Sequence, residues 1–396
     1  MYDHHPPRKR TYTTATRSAK RPAKNARFVV RRPSRRRAQL LIRRLIIAAI
    51  IITASLLAVY GIMQRPRGDS KPKALAFSPD DTYAPFNGGL LYLSGGQLNF
   101  IGAKGAARAL LPLGEDGMFY ASGQFIVAWR GVQIYILNAN GDVLYNDRAA
   151  APIQFARVGA SYAAALSPGV DGGQNIDVIT HNGTPVWSID VGTTDILDMQ
   201  FFGTQDLRLL TVGLDATGAT PSSVVATYEP KRYEVTGNVT LYDQIVYKVF
   251  QRGSNLMMVN SVTMTAYDYR CVTSASIPPV TVYGWQQRDI RAMTGDSIAL
   301  FTPISSDDSA VRQARLITSG GETALRLPAP CIDVRLGSRS VYAFASNAVY
   351  AARYGADVFT AYTLPAAIDR VLCVLDGDRA VVASGNDVFW VDLPAQ

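Results

Sequence analysis

Few side chains in this sequence could do chemistry. Its histidines are His4, His5 and His181, and its cysteines Cys271, Cys331 and Cys373. A Gly-Asp-Ser-Ile block at 295–298 offers a serine in the setting of a hydrolytic nucleophile, but such a hydroxyl needs an imidazole to take its proton. No Asp-x-x-His pattern follows, and His4 and His5 lie beyond a long apolar run, so Ser297 reads as a turn residue. So few histidines supply no His-rich zinc site. No metal or cofactor is expected. An odd cysteine count without a CxxC spacing points to small buried hydrophobes, with a Cys331–Cys373 pair left open.

The charges divide the chain sharply. Of 40 Lys and Arg against 31 acids overall, residues 1–44 hold 15 against Asp3 alone, which leaves 25 against 30 for the rest. Residues 45–64 then carry no charged side chain and are mostly Ile, Leu, Ala and Val. Twenty residues at about 1.5 Å rise cross a hydrocarbon core of roughly 30 Å, so a transmembrane helix is expected at 45–64. Arg35, Arg36, Arg37, Arg43 and Arg44 crowd its N-terminal end, which predicts an N-terminus in the cytoplasm and everything after the helix outside. A cleaved signal peptide would want a shorter charged region and core, and a mitochondrial segment would want fewer prolines than Pro6, Pro7, Pro22 and Pro33. The tail, with only Tyr2, Tyr12 and Phe28 as aromatics, is read as disordered and in contact with anionic lipid rather than nucleic acid. The expected division is a basic tail at 1–44, a helix at 45–64, a linker at 65–73 and a folded domain at 74–396.

Beyond the linker the pattern changes to short β-branched and aromatic runs cut by Gly, Asn and Asp, such as GLLYLS, QFIVAW and SVYAFAS. They repeat. With Met118, Ile153, Ile196, Ile245, Ile290, Ile332 and Ile368 as markers the steps are 35, 43, 49, 45, 42 and 36 residues. A period near 40 with four short strands per unit and no helices predicts an all-β domain, an eight-bladed β-propeller with seven blades as the alternative. The last unit shows only three strands, VLCVL, RAVVAS and DVFWVDL, and the segment KALAFS at 73–78 is expected to close it from the other end of the chain.

The turns NANGDVLY, THNGTPVWSI and TSGGETALRL place Gly before an aliphatic-Trp strand, with Trp187 at the Trp position and Tyr145 and Leu325 replacing it elsewhere. They resemble the PQQ-like, quinoprotein-type propeller repeat, and the layout resembles membrane-anchored bacterial propeller proteins. The resemblance covers about residues 74–394 and implies the fold. It would also imply a quinone pocket with calcium, Asn and Glu ligands and a catalytic Asp, none of which matches residue by residue, so a non-catalytic relative is expected. The GDSI block likewise resembles that of GDSL-type hydrolases without their histidine, and RGDS at 67–70 matches an adhesion tetrapeptide placed too close to the bilayer to reach another cell.

Loop lengths say more. The long connections at 167–177, 213–223 and 303–311 all join second to third strands and should gather on one face, which makes Asp171, Gln174, Asn175, Asp177, Asp215, Asp307 and Asp308 the candidate binding residues. No EF-type spacing supports calcium there. The expected function is a single-pass, membrane-anchored extracytoplasmic module that binds or scaffolds a protein partner of the cell envelope. The alternative is a propeller enzyme, an oxidoreductase or hydrolase using the central pocket, which would require ionisable groups converging at the channel mouth.

Overall fold

The computed structural model describes residue 53 and residues 72–394, apart from 103–104, 170–171, 204, 206, 294–295 and 305–309. The tail, the apolar run 45–64 except Thr53, and the topology residues Arg35, Arg36, Arg37, Arg43 and Arg44 lie outside the described residues, as do Asp171, Asp307 and Asp308. Among the described residues no helix is long and apolar enough to cross a membrane.

Eight four-stranded antiparallel sheets follow one another. Their first strands are Thr82–Phe86, Met118–Ser122, Phe155–Val158, Asp195–Phe202, Lys248–Arg252, Trp285–Met293, Asp333–Leu336 and Arg370–Leu375, which define blades 1 to 8. In blades 1 to 7 the strands are ordered as in sequence. In blade 8 the fourth strand is Lys73–Ala74, paired antiparallel to the third as Lys73↔Trp390 and Ala74↔Phe389. The first strand of blade 8 also packs on that of blade 1, so the ring closes. The expected closing strand is shorter than six residues because Phe77 leaves the ladder. After the Leu75 amide bonds the Val388 carbonyl at 2.8 Å, Phe77 turns inward and stacks on Tyr92 with ring centroids 4.8 Å apart.

Burial explains the sequence pattern. Second strands are covered on both faces by neighbouring blades, so they read as unbroken apolar runs: Gly89–Ser94 and Ser340–Phe344 are almost wholly buried. Fourth strands form the outer edge and are largely exposed, as in Val143–Arg148. Each junction between adjacent blades holds its own hydrophobic cluster, eight among the described residues. The tight hairpin between the first two strands of blade 1 uses Asn87 and Gly88 at φ 46° and 68°, the left-handed pair that a two-residue turn of matching twist requires.

The Trp-position residues act at these junctions. Trp187 meets Tyr228 and Tyr233 of blade 4 edge-on at 5.8 and 6.2 Å, and Leu325 is buried in the cluster shared with blade 7. Tyr145 of blade 2 lies over Gly183 of blade 3, where a Cβ would meet its ring at 2.0 Å; φ there is +83°, so glycine is required twice over.

His181, in the third-to-fourth turn of blade 3, is stacked on Phe125 of blade 2 at 3.7 Å, and its Nε2 donates to the Gly159 carbonyl at 3.0 Å. Burial holds the imidazole below its ordinary value of 6.5. An unfolded chain therefore takes up this proton first as pH falls, and the fold loses stability below about 6.5 while gaining nothing above it. Urea unfolding at pH 7.5 and 5.5 should show a greater weakening for the wild type than for His181→Gln. Equal pH responses would contradict this placement.

Candidate functional site

Chain direction sorts the connections. First strands run away from one face and second strands return to it, so second-to-third loops and fourth-to-first links share that face, here the loop face. The described candidate residues sit there on blades 3 and 4, each engaged locally. Gln174 latches the blades together: its Nε2 donates to Gln154 Oε1 at 2.7 Å and its Oε1 accepts from the Ile196 amide at 2.8 Å. Asp177 lies within the third strand Gln174–Thr180 rather than in the loop. It accepts from Asn175 Nδ2 at 3.0 Å and Ser188 Oγ at 2.7 Å, while Asn175 also donates to Ser188 at 2.8 Å. Asp215 ends its strand by accepting from the Thr217 hydroxyl at 2.6 Å and amide at 2.9 Å, and these bonds hold its carboxyl below its ordinary value. The structure thus gathers Gln174, Asn175 and Asp177 on blade 3 and leaves Asp215 to its own turn.

The first strands carry ionisable groups that sequence reading missed. Arg157 of blade 3 donates to Asp198 at 2.7 Å and to the Met199 carbonyl at 3.1 Å, both on blade 4. Gln200 reaches the Val249 carbonyl of blade 5 at 3.0 Å. Asp333 of blade 7, its side chain 2% exposed, is held between Arg288 of blade 6 at 2.6 Å and Arg335 at 2.8 Å. Arg335 extends to the Val371 carbonyl of blade 8 at 3.4 Å, and the Tyr83 hydroxyl of blade 1 reaches the Leu372 carbonyl at 3.4 Å. Asp289 accepts from the Leu336 amide at 2.9 Å, although burial pushes its carboxyl up. The signal was present as charges inside otherwise apolar strands, Arg157 in Phe-Ala-Arg-Val and both Asp333 and Arg335 in Ile-Asp-Val-Arg. What alternation could not supply was the partner, which lies on the neighbouring blade.

These groups bridge blades, and those of blades 6, 7, 8 and 1 also stand near one another: Tyr83 lies within electrostatic reach of Arg335 and Asp333, Asp289 within reach of the same two, and Arg291 of blade 6 pairs with Asp376 of blade 8 at 2.5 Å. Ser297 is the second residue of the second strand of blade 6, Asp296–Pro303, is buried, and donates to the Gln251 carbonyl at 2.6 Å, with His181 three blades away. The three cysteines are free and buried, which answers the open pairing: Cys331 belongs to the junction of blades 6 and 7, Cys373 to that of blades 8 and 1. Burial pushes their thiols up, Cys271 and Cys331 to about 11 and Cys373 to about 12, so all stay protonated and unreactive at neutral pH. Among the described residues no three His, Cys, Asp or Glu side chains are grouped to hold a metal ion. A depression of about 670 Å³ opens where blade 1 leads into blade 2, lined by Pro112, Gly114, Arg130, Gln133, Tyr135 and Arg148.

The chain is an eight-bladed β-propeller. No protein-family model matches its sequence, and no curated protein does. Among solved structures it is similar to BamB from Moraxella catarrhalis, with TM-score 0.51 and 11% identity over 81% of this chain and 99% of that one. It is also similar to the C-terminal WD40 domain of Sif2, with TM-score 0.53 and 14% identity over 82% and 98%. At these identities the likeness is one of fold.

Proposed function

We propose that this chain is a single-pass membrane protein, N-terminus in the cytoplasm, whose propeller stands outside the membrane and binds a protein partner of the cell envelope through its loop face. The observation that carries the binding reading is the use of the inner-strand charges. Arg157, Asp198, Arg288, Asp333 and Arg335 are each already paired with a charge or carbonyl of their own or the next blade, whereas catalysis in the channel would need such a group free to meet a substrate. A rigid ring with its long loops gathered on one face is the arrangement of a docking scaffold. The membrane reading rests on the uncharged run 45–64 and the arginines before it, with the tail lying on anionic lipid.

Two measurements in intact cells test this. Protease added outside should digest the propeller and spare the tail; a protected C-terminal reporter contradicts the topology. A photo-crosslinking residue placed at Asn175 should form adducts with a partner, while the same residue at Asn140 or Asn182, in turns of the opposite face, should not. Adducts from the turns alone would reverse the face assignment.

A further inference from the structure

On the loop face of blades 4 to 6, six exposed apolar side chains form one strip. Tyr242, 73% exposed, ends the fourth strand of blade 4; Ile245 and Tyr247 lie on the link to blade 5; Val262 is in the second-to-third turn of blade 5; Tyr283, 75% exposed, is on the link to blade 6; and Ile304 opens the second-to-third loop of that blade. Hydrogen bonds join the links and turns that carry the strip from Gln244 to Ile304. Asn260 Nδ2 donates to Gln244 Oε1 at 2.8 Å, tying the first link to the blade 5 turn, and Asn260 Oδ1 accepts from the Val262 and Thr263 amides at 2.8 and 2.7 Å. The Val282 amide donates to the Val262 carbonyl at 2.8 Å, and the Ile304 amide to the Gly284 carbonyl at 2.9 Å. The Tyr247 hydroxyl is set against the Gln287 backbone of blade 6. The strip is therefore already ordered, so little conformational entropy is lost when it is covered. A soluble surface rarely presents contiguous apolar side chains in this number without a use for them.

The rim tells what covers it. Asp195, Asp215 and Asp243 stand along the same edge of blade 4: Asp195 pairs in register with Leu214, Asp215 with Ser222, and Ser222 with Tyr242, which Asp243 follows. Among the described residues none of the three is in a salt bridge. A second copy docked by two-fold symmetry about the blade 4 end of this strip would bring acidic rim against acidic rim, and an anionic lipid surface would be repelled by it. A cationic partner meets neither penalty. Resting on the loop-face reading above, we propose that the strip receives a segment of a partner protein that presents aliphatic or aromatic side chains flanked by Lys or Arg.

The test uses the full-length chain in nanodiscs of neutral phosphatidylcholine and random twelve-residue peptides displayed on phage. Enriched peptides should carry Leu, Ile, Phe or Trp beside Lys or Arg. A synthetic copy of the most enriched peptide should bind the Tyr242→Ser, Tyr283→Ser, Ile304→Ser triple variant at least about thirty-fold more weakly than the wild type, the scale of losing central aromatic contacts. The Val272→Ser, Met293→Ser variant on the opposite face should bind unchanged. The Asp195→Lys, Asp243→Lys variant should enrich acidic flanks instead of basic ones, a gain that misfolding cannot imitate. Enrichment blind to flank charge, or undiminished binding to the triple variant, overturns the proposal. So does a strip that mediates self-association in size-exclusion chromatography, or binding of phosphatidylserine vesicles, that the triple variant loses. If the Asn175 crosslink to a partner persists in the triple variant, the strip assignment fails and the loop-face reading stands; peptides lost only in the opposite-face variant would sink both.

Discussion

A chain lacking residues 1–78 is expected to lose its cooperative unfolding transition or to melt far below one lacking only residues 1–70. The two differ by the segment that closes blade 8. Lys73 and Ala74 pair with Trp390 and Phe389, and without them the third strand of that blade is left as an open edge. Phe77 matters more. It is 6% exposed and packs in the junction of blades 8 and 1 with Tyr92, Leu372, Val388 and Trp390. Losing a buried Phe side chain alone costs about 3–5 kcal/mol, against a total stability of about 5–15 kcal/mol for a typical domain. Every other junction is made between strands linked locally, whereas this one joins the two ends of the domain, so its loss opens the ring. Circular dichroism melts would decide it, with Phe77→Ala in the full chain as the point variant. Closely matching melting temperatures for the two truncations would show that the ring is held shut elsewhere.

The repeat was legible because burial imposes it at regular intervals. The markers Met118, Ile153, Ile196, Ile245, Ile290, Ile332 and Ile368 all fall within a first strand or up to three residues before one. Ile245 shows the limit of that reading: it is 49% exposed, and its neighbour Val246 is the buried residue that docks the strand. Apolar type reports that a strand is near without saying which face a residue takes. Outer strands were harder, since little packs on them. The fourth strand of blade 5 is only Val280–Thr281, and that of blade 8 only Lys73–Ala74.

The candidate site was legible by face and less so by residue. Counting strands put the loops of blades 3 and 4 on one side, but Asp177 proved to be a strand residue bonded to Ser188, and Asp215 the cap of its own turn. Short polar side chains beside a loop bond to their own backbone as readily as to a ligand, and sequence alone cannot separate the two. The apolar strip escaped notice for the opposite reason. Tyr242, Tyr283 and Ile304 look in sequence like core residues at strand ends, and only their exposure in the folded ring shows that they point outward.

Asp333→Ala is expected to destabilise the propeller by about 3 kcal/mol, the low end of the range for breaking a buried ion pair. The carboxylate is 2% exposed and faces two guanidinium groups, so its removal takes from both cations the anion they touch directly. Arg335, with a side chain 20% exposed, keeps the Val371 carbonyl at 3.4 Å and the field of the nearby Asp289, and Arg288, at 39%, can turn toward water, which is why the low end applies. The Val334 amide also loses its acceptor at 2.7 Å. Asp333→Asn keeps the shape and one acceptor oxygen but not the charge, and should fall between wild type and Ala. High salt should narrow these differences little, because the pairs are largely withdrawn from solvent. Urea titrations at low and high salt would measure both. If Asp333→Ala costs less than about 1 kcal/mol, or if its effect disappears in salt, then the channel charges are solvated and free to meet a ligand, and the distinction between a scaffold and a channel enzyme would have to be reopened from the side of the enzyme.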